Sequence, residues 1–231
     1  MKYLIPSHAM LVFVPRIAAL FFIALQLLGM KAYPGGTMYD ASTQGYSFSK
    51  NFFSDMGAYA ARNGDPNYFS MILFAMSLTI VGITFISYYL LLPRLLGSDR
   101  INYILAWIGT LFAIGGSVCM IGTGFTPSDV VFAPHVFFAN NIFHCFLVTA
   151  LFYTIVIFRS DGLQKRYAIG YAIFFLSIFI YVMILQYGPS VNSGESALIF
   201  QVLSQKVIVI VFCFSVIHQT FGFTKSGIFK K

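Results

Sequence analysis

Long apolar segments alternate with short polar ones along the whole chain, and this alternation predicts the fold. A bilayer is spanned by about 20 consecutive apolar residues in a helix. Six stretches meet that requirement: residues 9–30, 68–92, 102–124, 130–158, 167–187 and 197–222. The connections are short except for residues 31–66. The pattern therefore predicts an all-α, polytopic membrane protein, a single domain folded as a six-transmembrane-helix bundle with one long loop.

Composition strengthens the membrane interpretation. Of the 231 residues, 58% are hydrophobic and 9% are charged, whereas soluble domains have about 45–50% apolar and about 25% charged residues. The net charge of +7 comes from basic residues that stand singly or in pairs beside apolar segments. They form no basic stripe of the kind that binds nucleic acid. We therefore expect membrane lipids, and no nucleic acid, as partners.

The first apolar stretch begins like a signal peptide, with Lys2 before an apolar run. Pro15 and Arg16 interrupt that run, and no A-x-A cleavage site follows it. We expect it to be retained as the first transmembrane helix.

The basic residues also predict the orientation of the bundle. Nine of them flank one set of helix ends: Lys2, Arg94, Arg100, Arg159, Lys165, Arg166, Lys225, Lys230 and Lys231. The opposite ends carry only Lys31, Lys50 and Arg62, together with five of the seven acidic residues. Because loops rich in Lys and Arg stay in the cytoplasm, both termini are predicted to be cytoplasmic and loop 31–66 to be extracytoplasmic.

The long loop contains an aspartate in apolar company. In "KNFFSDMGAYAARNGDPN", Asp55 has Phe52, Phe53 and Met56 close to it in the sequence, and Gly57 comes two positions later. One interpretation makes Asp55 a cap near the start of a short helix over residues 54–61. The other folds the loop back into the mouth of the bundle, where Asp55 would face a buried positive charge. The sequence leaves both open.

The last apolar stretch contains a lysine that a bilayer disfavours. Lys206 lies about 16 Å from Glu195 at 1.5 Å per residue, close to the middle of the hydrocarbon core. An ammonium there needs a partner, a cavity or the loss of its proton. Asp55 is the first candidate partner and Asp129 the second, since the other loop-side acids lie among small polar residues. The predicted polar site comprises Ser54, Asp55, Asp129, His135, Gln205 and Lys206.

Helix four carries a second polar group. Asn140, Asn141 and His144 share one helix face, whereas His135 points the other way at about 100° per residue. This helix-four polar face either holds helices together through interhelical hydrogen bonds, a common role for amides and histidines in membranes, or is part of a proton relay. Because His135 and His144 face apart, they cannot share one metal ion.

The cysteines indicate no disulfide and no zinc site. Cys119, Cys145 and Cys213 all fall inside apolar stretches, with no C-x-x-C pair. We expect no metal and no cofactor. In helix three, Gly109, Ala113 and Ser117 recur at four-residue spacing, which predicts close helix packing.

Four motifs in order carry a family resemblance: "YPGG", "GYSFSKNFFSDMG", "GTGFTPSD" followed by "PHVFFA", and "SQKV". Over nearly its whole length the chain resembles DUF 998, a family of bacterial and archaeal six-helix membrane proteins. More distantly it is similar to the Frag1/DRAM/Sfk1-like group, which includes a eukaryotic factor for remodelling the lipid of GPI anchors. The resemblance implies a location in the prokaryotic cytoplasmic (inner) membrane, and it implies no established reaction.

The resemblance maps a Ser-Asp-Gly pattern onto Ser54, Asp55 and Gly57. It maps the helix-four histidine onto His135 and a late basic position, more often arginine, onto Lys206. Phe53 and the Asn140–Asn141 pair depart from the family pattern.

Three classes of function fit these features. The first is a lipid-related binding protein or modifying enzyme with a polar cavity at the outer leaflet. The second is a small-solute or proton-coupled transporter, and the third is a noncatalytic membrane scaffold. A Ser54–Asp55–His135 hydrolase triad is disfavoured because neighbouring side chains point apart and no G-x-S-x-G elbow exists. The sequence contains no repeat between its two halves of the kind found in many transporters.

Overall fold

The computed structural model describes residues 8–160 and 163–225. Six long helices account for most of them: α1 Val14–Ala32, α2 Tyr68–Leu96, α3 Arg100–Phe125, α4 Phe132–Arg159, α5 Lys165–Tyr187 and α6 Glu195–Lys225. Each helix is long and apolar enough to cross a membrane. No β-strand occurs within the described ranges. The predicted all-α, six-helix membrane fold is confirmed.

The helices form a closed ring. Each packs against the next along the chain, and α1 also packs against α6. An even number of helices brings both described ends of the chain to one end of the ring, here called the terminus end. Residues 33–67, which connect α1 to α2, lie at the opposite end, called the loop end.

The two ends of the ring differ in charge as the sequence predicts. Six of the nine basic residues assigned to the cytoplasmic side lie at the terminus end; the other three, Lys2, Lys230 and Lys231, are outside the described residues. Lys31, Lys50 and Arg62 lie at the loop end. Which end faces the cytoplasm stays a prediction from this asymmetry.

The seam between α1 and α6 is fastened near the terminus end by Arg16. Its Nε donates to Thr220 Oγ1 at 2.7 Å and its Nη2 to Thr224 Oγ1 at 3.3 Å. The guanidinium also lies 4.4 Å from the ring centroid of Phe221. Just before it, Pro15 cannot donate a backbone hydrogen bond, and the chain enters α1 through a π-helical turn, Ala9–Phe13. These contacts close that part of the ring wall.

The glycines of α3 serve close packing, as predicted. A Cβ added at Gly109 would come within 3.0 Å of the Tyr153 ring, and one at Gly116 within 2.7 Å of the Phe146 ring. Both aromatic residues belong to α4. Small residues here let the two helices approach closely enough for van der Waals contact to hold them together.

Aromatic rings fill the interior toward the terminus end. Phe212 of α6 lies 4.8 Å from Phe146 and 5.4 Å from Phe85 by ring centroids. Beyond them the Tyr153 and Tyr171 rings stack at 5.9 Å. The interior at this end is therefore packed with side chains.

The predicted orientation can be tested by cysteine labelling in a background without the three native cysteines. Gln44 is exposed at the loop end and Ser98 is exposed at the terminus end. With cytoplasmic termini, a cysteine at Gln44 reacts with a membrane-impermeant maleimide added to intact cells, and one at Ser98 reacts only after lysis. The reverse pattern would contradict the orientation.

Candidate functional site

Residues 33–67, called the cap loop, fold over the loop end of the ring and are tied to it on several sides. Within the loop, Asn67, the residue just before α2, donates from Nδ2 to the carbonyl oxygens of Met56 at 2.9 Å and Ala58 at 2.8 Å. On the other side, Tyr39 donates from its hydroxyl to the carbonyl oxygen of Val191 at 2.7 Å. An ion pair of 2.6 Å joins Lys50 to Glu195 at the start of α6. The cap loop is thus a folded part of the bundle.

Asp55 is buried, and its carboxylate organises the middle of the cap loop. Oδ2 accepts hydrogen bonds from Phe52 N–H at 3.0 Å and from Asn51 Nδ2 at 3.1 Å. Oδ1 accepts from Arg62 Nε at 3.1 Å and Nη2 at 2.9 Å. Asp55 is therefore a cap, since Phe52 precedes the 3₁₀ turn Phe53–Gly57, and it is also half of an ion pair. The predicted longer helix over residues 54–61 is wrong.

The glycine after Met56 permits close contact with α2. A Cβ at Gly57 would lie 2.5 Å from the Phe74 ring, so any larger residue would push the cap loop off α2. Met56 is fully buried, and its sulfur lies 3.1 Å from where a Cβ of Gly29 on α1 would be. The apolar surroundings of Asp55 are therefore the surface by which the loop packs on α1 and α2.

Lys206 is only 2% exposed. Its ammonium is hydrogen-bonded to oxygen atoms of the cap loop, and none of these belongs to a carboxylate. Nζ donates to the Tyr46 hydroxyl and, at 2.9 Å, to the carbonyl oxygen of Asn51. It also lies 3.8 Å from the centroid of the Phe53 ring. The ion pairs of the described chain do not include Lys206. Lys206 and Asp55, predicted as partners, form no direct ion pair: Arg62 occupies that carboxylate, and Asn51 is hydrogen-bonded to both residues.

The hydroxyl that accepts from Lys206 is neutral. Burial raises the pKa of Tyr46 well above its ordinary value, so the phenol keeps its proton. That proton is donated to the carbonyl oxygen of Asn51 at 2.8 Å. Burial also raises the pKa of the nearby Tyr33 to about 12, although its oxygen accepts from Arg62 N–H at 2.9 Å. Neither tyrosine supplies a negative charge for Lys206.

Asp129, the second predicted partner of Lys206, binds backbone N–H groups of the cap loop instead. Its two carboxylate oxygens accept from the backbone N–H groups of Tyr59 at 2.9 Å and Ala60 at 2.8 Å. It therefore neither neutralises Lys206 nor caps α4, which begins at Phe132. Its role is to join the cap loop to the segment before α4.

Two further members of the predicted site, His135 and Gln205, bond to the backbone. His135 is buried and donates from Nδ1 to the carbonyl oxygen of Thr126 at 2.6 Å. Gln205 Oε1 accepts from Phe53 N–H at 3.0 Å. Ser54 lies at the end of a cavity described below. The structure brings Asp55, Gln205 and Lys206 into one neighbourhood, but as a hydrogen-bonded seal and not as the lining of a polar cavity.

The helix-four polar face is separate from that seal. His144 donates from Nδ1 to the carbonyl oxygen of Asn140 at 2.9 Å, and Asn141 donates to that of Phe137 at 2.8 Å. One contact crosses between helices, at 3.5 Å from Gln186 on α5 to His144 Nε2. Within the described residues, no group of three His, Cys, Asp or Glu side chains is placed to hold a metal ion.

Two adjacent cavities lie beneath the cap loop. The central cavity, about 100 Å³, is enclosed by apolar side chains of α1, α2, α3, α4 and α6, with Phe53 and Ser54 of the cap loop at one end. The groove, about 250 Å³, lies between α1 and α6. Five residues line both: Phe22, Gln26, Phe53, Val209 and Cys213. Because the groove is bordered by exposed apolar residues such as Leu27 and Phe214, it opens sideways, where the bilayer would be.

Sequence reasoning missed three residues on which the seal depends. Asn51 bonds to Asp55 and Lys206 at once, Arg62 neutralises Asp55, and Tyr46 accepts from Lys206. The sequence did contain an indication that Arg62 pairs with Asp55, because Arg62 is one of only three basic residues on the acidic side and lies in the same loop. Asn51 and Tyr46 had none, since neutral polar residues are ordinary in loops.

Comparisons with protein-family models, with curated proteins and with solved structures gave no match.

We predict that Asn51→Ala destabilises the protein by about 2–4 kcal/mol. The fully buried Asn51 side chain bonds to Ser47 N–H, the Gly36 carbonyl and Asp55, and each buried group left without a partner costs about 1–3 kcal/mol. The measurement is the free energy of unfolding in detergent. Asn192→Ala, in an exposed loop, is the matched control and should stay within about 0.5 kcal/mol of the wild type. Equal effects of the two variants would contradict the central role of Asn51.

We predict that Lys206→Met changes the free energy of unfolding by less than about 1 kcal/mol. Tyr46 still donates to the Asn51 carbonyl in the variant, so no buried group loses its only partner, and a dehydrated ammonium is removed. A direct ion pair would instead give a loss of about 3–5 kcal/mol, because the partner charge would be stranded. A measured loss of that size would contradict the structure's arrangement and support a direct ion pair of Lys206 with a carboxylate.

Proposed function

We propose that this integral membrane protein binds a membrane lipid, whose apolar chain enters between α1 and α6 and lies in the central cavity beneath the cap loop. The observation that carries the proposal is that the groove and the central cavity adjoin and share five lining residues. An apolar chain that passes between these shared residues would reach the interior of the ring from the bilayer. The apolar lining of the two cavities suits a hydrocarbon chain.

Access to the cavity favours a lipid over a water-soluble solute. The cap loop covers the loop end. There the Lys206 ammonium lies over the Phe53 ring, and Gln205 accepts a hydrogen bond from the Phe53 N–H group. Aromatic side chains fill the interior toward the terminus end. A solute crossing the membrane would need both ends to open, whereas a lipid needs only the lateral groove. A pure scaffold would need no internal cavity.

The arrangement favours binding over lipid modification. Three residues of the predicted site could take part in proton transfer, and each already has a partner. Asp55 is paired with Arg62, His135 donates to Thr126, and Lys206 donates to Asn51. Of the residues predicted for the site, Ser54 and Gln205 line the central cavity and Lys206 lines the groove. We extend the resemblance to the DUF 998 family into the same proposal, with the protein in a prokaryotic cytoplasmic membrane and the cap loop outside.

A matched pair of substitutions tests the proposal. Ile210 lines the groove and is 48% exposed, whereas Ile173 on α5 is 58% exposed and lines neither cavity. Ile210→Trp fills the groove, and overpacking by 1–3 kcal/mol should lower lipid binding by at least about fivefold. Ile173→Trp should leave it unchanged. The measurement is cross-linking of a phospholipid that carries a photoreactive group on its acyl chain, mapped by mass spectrometry to α1 and α6.

Two outcomes would contradict the proposal. One is cross-linking spread evenly over the lipid-facing surfaces of all six helices. The other is equal cross-linking of α6 in the two variants.

A further inference from the structure

Gln26 is a polar side chain in an otherwise apolar place. It belongs to α1, is 3% exposed, and lines both the central cavity and the groove. Its Nε2 donates to Ser77 Oγ on α2 at 2.7 Å. Its Oε1 is buried and has no hydrogen-bond partner among residues 8–160 and 163–225. A buried carbonyl oxygen without a partner is costly, at about 1–3 kcal/mol.

The hydrogen bonding of Ser77 fixes which end of the amide is free. The Ser77 hydroxyl donates its only proton to the carbonyl oxygen of Phe74 at 2.7 Å. Toward Gln26 it can only accept, so the group facing it must be the Nε2 amide. The acceptor Oε1 is therefore the end left without a partner beside the two cavities.

We propose that Gln26 Oε1 accepts a hydrogen bond from the lipid, which selects a neutral amphiphile carrying a hydroxyl or amide N–H donor next to its apolar chain. This inference rests on the proposed function and specifies its ligand class. A long-chain alcohol, an acylglycerol with a free hydroxyl and an N-acyl amide share this chemistry.

The surroundings of Gln26 disfavour an anionic head group in the same place. A carboxylate or phosphate would face the negative end of the amide dipole. The ammonium of Lys206 is turned to the Asn51 carbonyl and the Tyr46 hydroxyl, and the Phe53 and Phe48 rings lie 3.8 and 5.6 Å from it. Gln26 therefore supplies a hydrogen-bond acceptor beside the two cavities, and the Lys206 ammonium at the groove is already occupied by the cap loop.

Native Cys213 reports on occupancy, because it lines both cavities. In a Cys119→Ser, Cys145→Ser background, its rate of reaction with N-ethylmaleimide falls as a ligand fills the cavity. The probes are 1-hexadecanol and hexadecyl methyl ether, which share the chain and the oxygen but differ in the donor. N-hexadecylacetamide tests the amide donor in the same way.

The expected result is protection of Cys213 by the alcohol at about threefold to tenfold lower concentration than by the ether, the usual value of one hydrogen bond. The amide should share the advantage if any donor suffices. In Gln26→Leu the alcohol and the ether should protect equally, at the concentration that the ether needs in the wild type.

Gln219→Leu is the matched control. Gln219 is also buried and donates from Nε2 to the Tyr167 carbonyl oxygen at 3.0 Å, and its Oε1 has no partner in the described part of the chain. It lines neither cavity. This variant should keep the preference for the alcohol.

The outcomes separate this inference from the function on which it rests. Equal protection by alcohol and ether in the wild type overturns the hydrogen bond to Gln26 and leaves lipid binding intact. Failure of all the probes to protect Cys213 overturns lipid binding in the cavity. If Gln26→Leu does not fold, the comparison of alcohol and ether in the wild type decides alone.

Discussion

Asn51 holds the loop end of this protein together, because it bonds at once to Asp55 through its side chain and to Lys206 through its carbonyl oxygen. The cap loop is largely irregular backbone, and such backbone is tolerated near a membrane only when its polar groups are bonded internally. Asn51, Asn67 and Asp129 do this by donating to, or accepting from, the loop's carbonyl and N–H groups. A sealed loop end is the result.

The same network explains how a lysine can be buried in α6 without a carboxylate. An ammonium in a low-dielectric place needs oxygen acceptors and polarisable neighbours. A hydroxyl, a backbone carbonyl and the face of the Phe53 ring supply them. Lys206 thereby fastens the cap loop to α6 on the edge of the groove. Arg16 fastens α1 to α6 nearer the terminus end, so the lateral opening lies between two fixed points.

The sequence predicts the helices well, since apolar length alone defines a membrane span. It also predicts that Asp55, Gln205 and Lys206 meet, because each is anomalous in its surroundings. It does not predict that Arg62, seven positions after Asp55, is the direct ion-pair partner of that aspartate, because charge patterning does not show which basic residue reaches a given carboxylate. The apolar cavity and the unpartnered oxygen of Gln26 depend on how six helices fit together, and no local pattern encodes that.

Lateral entry of a lipid, as proposed, requires the cap loop to be a folded seal over the loop end. Hydrogen exchange of the Phe53, Tyr59 and Ala60 amides tests it most directly, because each is bonded to a side chain of the bundle or of the segment before α4. The account predicts exchange slowed by at least about a thousandfold relative to an unstructured peptide, or about 4 kcal/mol of opening free energy. Exchange at the rate of a free peptide would contradict it.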